Sequence, residues 1–309
     1  MRCAVVDIGT NSTRLLIAEV RDGRISEFDR RSTVTRLGQG VDASGRLAPE
    51  AEQRVFAALD DYAVAIARHE CDSRTAVMTS AVRDAANGAH FADQVRERYG
   101  LDARTLAGDE EARLTFRGAT AARAERSDGG LLVVDIGGGS TEIVMGSGDE
   151  VTFHVSTQNG VVRHTERHIT GDPPAPEELA ALAADVRANL EDRVPEHVRS
   201  GAREIVAVAG TATSGAAIDL ALEPYDAARV EGHLLTRPTL EAILERLAAL
   251  PLEERRRVPG LHPDRAPTMV AGMVILLEIL DAFAVDRVSV SDRDILWGVA
   301  LSEAEAAEA

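Results

Sequence analysis

A ten-residue pattern occurs twice in this chain, and this repeat restricts the fold more than any other feature of the sequence. Residues 5–14 align without a gap with residues 133–142, and the two copies share two valines, an aspartate, an isoleucine, the first glycine, a serine and a threonine. An internal repeat at the spacing of a domain predicts two similar lobes that face one another. The length of 309 residues suits two domains of this kind.

Each copy of the repeat predicts a strand, a tight turn and a second strand. In the second copy, residues 131–134 are apolar, as in a buried strand, and the glycines at 137–139 allow a turn with φ > 0 whose backbone N–H groups approach a ligand closely. Asp135 and Glu142 flank this turn, and two carboxylates face a phosphate only if a cation lies between them. The pattern therefore predicts a site for phosphate and Mg²⁺, and it differs from the strand, loop and helix of a P-loop.

The charge of the chain restricts its partners. The formal net charge is −17, which argues against a broad surface for nucleic acid or for an anionic membrane. All 34 cationic residues are arginine, so a P-loop lysine, a Schiff-base lysine and a lysine general base are excluded. Phosphate must therefore be bound by arginine, by backbone amides or by a metal ion.

The sequence predicts a cytoplasmic protein. No stretch reaches the ~20 apolar residues of a membrane span, and the first strand begins too early to leave room for a signal peptide. Cys3 and Cys71 are far apart in the sequence and give neither a disulfide framework nor a metal-ligand cluster, which suits a reducing compartment.

Two segments of the first half carry candidate site residues. Arg83 follows a predicted strand, where an arginine is well placed to bind an anion, although a solvated arginine is an equal alternative. Glu111 lies in the first turn of a predicted helix, with Asp109 as the expected N-cap. The helix dipole alone favours acidic residues in a first turn, so spacing does not make Glu111 a base.

Three groups in the second half allow two interpretations each. Gly210 and Thr211 follow a predicted buried strand and indicate a third phosphate loop, although many strand-to-helix turns look like this. His164 and His168 are four residues apart and share a helix face, as metal ligands do, but without a third ligand nearby a solvated face is favoured. The arginines at 255–257 either guide an anionic chain or form a solvated loop.

Strands and helices alternate between these motifs. Helices are predicted at residues 49–70, 81–99, 177–199, 238–250 and 267–283, with a final helix from residue 294. Residues 121–130 are rich in Ala, Arg, Glu, Ser, Asp and Gly without an apolar pattern, and they form the predicted linker between the two repeats.

In combination these motifs resemble the exopolyphosphatase and guanosine pentaphosphate phosphatase (Ppx/GppA) family, in a short form without the C-terminal helical domains. The resemblance is carried by the two repeat copies and by residues 80–85, 108–114, 210–213 and 265–272. It implies an α/β fold with two ribonuclease-H-like lobes of the acetate and sugar kinase, heat-shock-70 and actin superfamily, and an active-site cleft between the lobes. The expected lobes are residues 1–126 and 127–309, with the last helix packing back on the first lobe.

The resemblance also implies roles for individual residues. Glu111 matches the catalytic glutamate that activates water, and Arg83 matches the arginine that holds the terminal phosphoryl group. Asp135 and Glu142 match the acidic pair that organises Mg²⁺ and the attacking water, and Asp7 is a further metal-ligand candidate. The candidate phosphate-binding residues are Gly9, Thr10, Asn11, Ser12 and Arg14 in the first turn, Gly137, Gly138, Gly139, Ser140 and Thr141 in the second, and Gly210 and Thr211 in the third.

The expected activity is Mg²⁺-dependent hydrolysis of terminal phosphoanhydride bonds, with release of orthophosphate from inorganic polyphosphate and a preference for short chains. The alternatives are a pppGpp 5′-phosphohydrolase, an actin-like or sugar-kinase-like ATP-binding protein, and a binding module that senses polyphosphate. The resemblance further implies a homodimer, Mn²⁺ as a substitute metal and room for a monovalent cation. Neither nucleic acid nor a membrane is an expected partner.

Two residues depart from the family pattern. Asn159 stands where many relatives have an apolar residue before the glycine corresponding to Gly160, and Trp297 follows Leu296 where many have arginine. Neither departure falls on the expected catalytic set; both bear on the wall that faces the substrate.

Overall fold

The computed structural model describes residues 1–121, 130–147 and 150–308. The chain divides into two compact units, the first comprising Met1–Ala121 with Asp294–Ala309 and the second comprising Ala122–Arg293. The predicted boundary between residues 126 and 127 lies outside the described residues, as does the predicted linker apart from its two end residues. In the described parts of the chain, no helix is both long and apolar enough to cross a membrane.

The first unit is built on a mixed sheet. Among the described residues its strands are β1 (Arg2–Ile8), β2 (Ser12–Arg21), β3 (Arg24–Val34), β4 (Ser73–Met78) and β5 (Asp102–Thr105). They lie in the order β3-β2-β1-β4-β5; β1, β4 and β5 are parallel, and β2 and β3 are antiparallel to their neighbours. The helices that follow these strands are α1 (Val41–Ser44), α2 (Pro49–His69), α3 (Ser80–Asp84), α4 (Gly88–Tyr99) and α5 (Gly108–Thr120).

The second unit repeats this plan with one strand more among its described residues. Its strands are β6 (Leu131–Ile136), β7 (Thr141–Ser147), β8 (Glu150–Thr157), β9 (Glu204–Val208), β10 (Leu234–Thr236) and β11 (Arg287–Val290), in the order β10-β11-β9-β6-β7-β8. Its helices are α6 (Val161–His168), α7 (Pro176–Arg193), α8 (Glu196–Arg199), α9 (Ala209–Asp219), α10 (Ala227–Val230), α11 (Arg237–Ala248), α12 (Leu252–Arg255) and α13 (Met269–Ala282).

The two sheets correspond strand by strand. Strands β1, β2, β3, β4 and β5 match β6, β7, β8, β9 and β11, and β10 is added at the edge of the second sheet. The parallel strands of each sheet end at the same edge, where α/β proteins place their ligands. The two similar α/β lobes that the repeat predicted are therefore present, and each repeat copy spans the central hairpin of its sheet.

Strand β1 is buried on both faces, which explains its continuous apolar sequence. Val6 points into a core with α2 and α4, and Val5 points into a second core with α5 and the final helix, α14 (Ile295–Glu308). Trp297 lies in this second core with 6% of its surface exposed, and the Arg30 guanidinium lies 5.4 Å from the centroid of its ring. This departure from the family pattern therefore serves the packing of the first unit.

Two predicted helices are interrupted. The predicted helix at 81–99 is α3 followed by α4, because Asn87 between them uses its side chain to bond the backbone N–H and C=O of Leu47, at 2.8 and 3.1 Å. The predicted helix at 177–199 is α7 followed by α8, with Pro195 at the break, where a proline has no N–H to continue the ladder.

The expected N-cap of α5 was also wrong. The helix already includes Gly108, so Asp109 lies inside its first turn, and Ala107 occupies the N-cap position without a side-chain cap. The three acidic residues that follow, Asp109, Glu110 and Glu111, all lie in that first turn.

Helices α5 and α14 approach so closely that only glycine fits at Gly298. We expect Gly298→Ala to destabilise the protein, because the added Cβ would lie 1.8 Å from the carbonyl oxygen of Leu114 and 2.6 Å from its carbonyl carbon. Overpacking of this kind costs about 1–3 kcal/mol, whereas helix propensity alone would stabilise the variant by about 1 kcal/mol. Urea unfolding decides between the two by the sign of the change.

The control for this substitution is Ala306→Gly, at an exposed position of the same helix. It removes no packing and should lower the free energy of unfolding by about 1 kcal/mol through propensity alone. An unchanged or raised stability of Gly298→Ala would show that the two helices separate at no cost.

Candidate active site

The turn between β1 and β2 has its carbonyl groups bonded within its own unit. The Thr10 carbonyl accepts a hydrogen bond from the Gly38 amide at 2.9 Å, and the Asn11 carbonyl accepts from the amides of residues 35–36 at 3.0 and 2.9 Å. In a planar trans peptide, the C=O of one residue and the N–H of the next point in opposite directions. The amides of Asn11 and Ser12 therefore point away from residues 35–38.

The turn between β6 and β7 is held in the same way by α6. The carbonyls of residues 137–139 accept hydrogen bonds from the backbone or side chain of residues 161–163, namely from Val161 N to Gly137 O (3.0 Å), from Val162 N to Gly138 O (2.8 Å) and from Arg163 Nε to Gly139 O (2.9 Å). Consequently the amides of residues 138–140 point away from α6. Successive amides that point to one side form a concave site for an anion.

One hydrogen bond closes both turns identically. The Gly9 amide donates to the Ser12 carbonyl at 3.0 Å, and the Gly137 amide donates to the Ser140 carbonyl at 3.0 Å. Gly160 presses against the second turn, since a Cβ there would lie 2.2 Å from the carbonyl carbon of Gly139. The repeated sequence therefore gives the same closing hydrogen bond twice. The predicted φ > 0 conformation is wrong, because none of the glycines at 137–139 has a positive φ.

The two turns differ in the residue pair at their base. In the first unit Asp7 lies opposite Arg14 in the ladder, and Arg14 Nε donates to Asp7 Oδ2 at 2.9 Å. Arg14 also forms an ion pair with Asp294, at the start of α14. Burial raises the pKa of Asp7, and the Arg14 guanidinium opposes this shift. Arg14 is thus engaged by two carboxylates of its own unit.

In the second unit the corresponding pair consists of two carboxylates. Asp135 lies opposite Glu142 in the ladder, and the two residues are 8% and 2% exposed. Glu142 Oε1 accepts a hydrogen bond from the Ser156 hydroxyl at 2.8 Å, which fixes one of its oxygens. Adjacent carboxylate oxygens are a donor set that suits Mg²⁺, so the residues present fit the metal that the sequence predicts.

Arg83 and Glu111 form an ion pair at the edge of the first sheet. Arg83 NH1 donates to Glu111 Oε2 at 2.8 Å and to the Leu106 carbonyl at 3.1 Å, and the side chains are 24% and 8% exposed. The interpretation of Arg83 as a solvated arginine is therefore wrong. The Thr10 hydroxyl bonds the Ser80 hydroxyl at 2.8 Å, so the helix that carries Arg83 is tied to the first turn.

The predicted third phosphate loop is not a loop: Gly210 and Thr211 lie in the first turn of α9, which follows β9 directly. This turn contacts an arginine that is not among the candidate site residues. A Cβ on Gly210 would lie 1.5 Å from Arg265 NH1, so the guanidinium lies directly over this glycine. Thr211 Oγ1 donates to the Ile136 carbonyl at 3.1 Å, which ties the start of α9 to the strand before the second turn. Ala209, the first residue of α9, has a φ of 62°, a left-handed conformation that is uncommon for alanine and that occurs at functional sites.

Two other sequence interpretations are corrected by the structure. Arg255 is 4% exposed, and its guanidinium donates to the carbonyls of Leu247 and Leu250 at 2.9 Å each, so it closes the end of α11 and guides no anionic chain. His164 is fully buried, so the favoured solvated face is wrong for this histidine. Burial lowers the pKa of His164 to about 4, against the opposite effect of Asp185.

The chain matches the model of the Ppx/GppA phosphatase family over residues 16–307. It belongs to this family. Exopolyphosphatase 2 of Mycobacterium tuberculosis is 37% identical to it, over 97% of this chain and 98% of that protein. The resemblance inferred from the sequence motifs is confirmed, and so is the expectation of an enzyme.

Solved structures of the Ppx/GppA family share the fold. The crystal structure of the Aquifex aeolicus member of the Ppx/GppA family is similar with a TM-score of 0.83 and 32% identity, covering 100% of this chain and 99% of that chain. An exopolyphosphatase-like protein is similar with a TM-score of 0.90 and 35% identity, covering 99% of each chain. The expected fold class is therefore confirmed along the whole chain.

Proposed function

We propose that this chain hydrolyses the terminal phosphoanhydride bond of inorganic polyphosphate in a Mg²⁺-dependent reaction and releases orthophosphate. The observation that carries the proposal is the adjacent pair Asp135 and Glu142 beside a turn whose amides point away from α6. Such an arrangement calls for a cation and an anion together. The name of the Mycobacterium tuberculosis relative, exopolyphosphatase 2, supports the same substrate.

Glu111 is the proposed general base and Arg83 the proposed ligand of the terminal phosphoryl group. Glu111 lies in the first turn of α5, and its Oε2 accepts a hydrogen bond from the Arg83 guanidinium, so the proposed base and the proposed phosphoryl ligand are side by side. A guanidinium that contacts both the base and the phosphoryl group brings a water on Glu111 close to the phosphorus atom. This positioning supplies much of the rate enhancement in phosphoryl transfer.

Asp135 and Glu142 are the proposed holders of Mg²⁺, with Mn²⁺ as a substitute. When bound there, the metal neutralises phosphate charge and orients water. Asp7 offers less to a metal, because Arg14 already engages its Oδ2; its buried Oδ1 has no hydrogen-bond partner among the described side chains and is the oxygen that remains. Arginine, amides and metal together replace the lysine that the chain lacks.

The test of the proposed function is phosphate release by the purified chain with Mg²⁺, in parallel on short and long polyphosphates, pppGpp and ATP. We expect short polyphosphates to be the best substrates, with activity lost in EDTA and restored by Mg²⁺. Turnover of pppGpp alone would make the chain a signalling-nucleotide phosphatase, and ADP formation from ATP would indicate a nucleotide switch. Binding of polyphosphate without any turnover would indicate a sensing module.

The role of Glu111 predicts a selective loss of turnover in Glu111→Gln. We expect kcat to fall about 10²-fold or more, because the amide removes no proton from water. The KM should change little, because the Gln oxygen still accepts from Arg83 and keeps the guanidinium in place. Steady-state kinetics on a polyphosphate of defined length measure both constants.

The matched control is Glu110→Gln, one residue earlier, where the carboxylate pairs with Arg104 on the surface. This variant should leave kcat and KM close to those of the unaltered protein. If Glu111→Gln raised KM as strongly as it lowered kcat, Glu111 would be a residue that shapes the binding site and not a base.

The contact between Gly210 in the first turn of α9 and Arg265 predicts a pair of variants that act through one guanidinium. Gly210→Ala places a methyl group where Arg265 NH1 lies, so the flexible side chain must swing away. We expect KM for polyphosphate to rise about ten-fold in Gly210→Ala and in Arg265→Gln, as for the loss of one charge-assisted hydrogen bond. The double variant should have about the same KM as either single variant. If the two effects on KM multiplied in the double variant, Gly210 and Arg265 would not share one role.

A further inference from the structure

A second group of metal-ligating side chains lies in the second unit, apart from the carboxylate pair. His164 and His168 lie on α6 and Asp185 lies on α7, and one ligand atom from each is within 4.8 Å of the others. His168 Nε2 is 2.8 Å from Asp185 Oδ2, and the two imidazole rings stack at 5.6 Å between centroids. Asp185 supplies the third ligand that was not evident in the sequence.

The hydrogen bonds of Asn159 fix the proton on His164. The Asn159 amide nitrogen donates to the Val186 carbonyl at 3.5 Å, so its Oδ1 faces His164 Nε2, at 3.1 Å. An amide oxygen only accepts, so Nε2 carries the proton and Nδ1 carries a lone pair. Histidine ligands of metals are commonly oriented by a hydrogen bond of this kind from their other nitrogen.

The unprotonated His164 Nδ1 lies near another acceptor, a carboxylate oxygen of Asp185. Nδ1 is buried without a hydrogen-bond partner among the described residues, and the nearest carboxylate oxygen, Asp185 Oδ2, is 3.6 Å away. The buried His164 Nδ1 therefore loses hydration without gaining a bond. A cation between Nδ1 and Asp185 Oδ2 resolves this arrangement.

We propose that His164 Nδ1, His168 Nε2 and Asp185 bind a zinc-type divalent cation. Two imidazole nitrogens with one carboxylate oxygen are a donor set that suits Zn²⁺ and leaves a fourth position for water. In a tetrahedral zinc site the ligand atoms are about 3.4 Å apart, so a small approach of the three side chains completes the shell. The metal replaces the proton between His168 and Asp185.

The surroundings of the site allow this change. Asn189 Nδ2 donates to Asp185 Oδ1 at 3.1 Å and holds the oxygen that the metal does not need. Arg167 NH1 donates to Asp185 Oδ2 at 3.0 Å, and its charge opposes a cation there. The Arg167 side chain is 41% exposed, so solvent weakens this opposition.

The site would fix the helix that supports the second turn. The first residues of α6, Val161 and Val162, donate to the carbonyls of that turn, and the two histidines lie further along the same helix. A metal shared with α7 joins the two helices across the loop at residues 169–175. The proposed role is therefore to hold α6, and through it the amides at 138–140, in place.

The experiment uses the full chain carrying Asp135→Asn and Glu142→Gln, so that zinc uptake by the carboxylate pair is excluded. After chelator treatment and dialysis against Zn²⁺, we expect one bound zinc per chain by elemental analysis, and visible absorption of four-coordinate Co²⁺ when cobalt replaces it. His168→Gln and Asp185→Asn in this background should each weaken zinc binding at least about ten-fold. Circular dichroism checks that each variant is folded.

The matched control is His233→Gln. His233 Nε2 lies 2.7 Å from Asp219 Oδ2, a histidine and carboxylate pair of the same unit outside the His164, His168 and Asp185 group. This variant should bind zinc as the background protein does. Absence of stoichiometric zinc uptake, or equal loss in His233→Gln, would overturn the proposal.

A measurement on the unaltered chain keeps the proposal falsifiable if a variant fails to fold. With excess Mg²⁺ present, Zn²⁺ should protect His168 from carbethoxylation, as measured by mass spectrometry. His262, whose side chain is 63% exposed, should be modified equally with and without zinc. If His168 were modified to the same extent with and without zinc, as His262 is expected to be, the proposed site would be contradicted.

Discussion

The candidate anion site depends on the direction in which the carbonyl groups of each turn point. Both glycine turns bond these carbonyls to their own unit, the first to residues 35–38 and the second to the start of α6. Because the peptide plane couples each C=O to the next N–H, this bonding also fixes the direction of the amides. An anion site built from backbone in this way needs no lysine, which suits a chain whose 34 Lys and Arg residues are all arginine.

The two copies of the repeat differ in charge at one position, occupied by Arg14 in the first copy and by Glu142 in the second. Arg14 neutralises the buried Asp7 in the first unit, whereas Glu142 stands beside Asp135 at the same ladder position of the second. The backbones match and the electrostatics are opposite, because a buried aspartate is tolerable beside a guanidinium, while two buried carboxylates favour a bound cation. This difference explains why the fold carries the turn twice and why the second copy is the better candidate for Mg²⁺.

What the sequence predicted correctly was local. The strands, the turn and the placement of Asp135 and Glu142 follow from a ten-residue pattern, since alternation and glycine content act over short distances. What it missed depends on contacts between distant residues: the Arg265 guanidinium over Gly210 and the carboxylate of Asp185 beside the two histidines. Arg255 resembles a surface arginine because its partners are backbone carbonyls, which no sequence pattern marks.

Helix α6 connects two features that look independent in the sequence. Its first turn bonds the carbonyls of residues 137–139, and its second turn carries His164, fixed by Asn159 in the loop that leads into the helix. The backbone carbonyl of Asn159 also accepts a hydrogen bond from the Thr141 hydroxyl at 2.5 Å, at the other end of the glycine turn. The residue that departs from the family pattern is therefore buried between the turn and the histidines. A substitution at Asn159 would change the position of both together, since the helix and the turn share it as a common support.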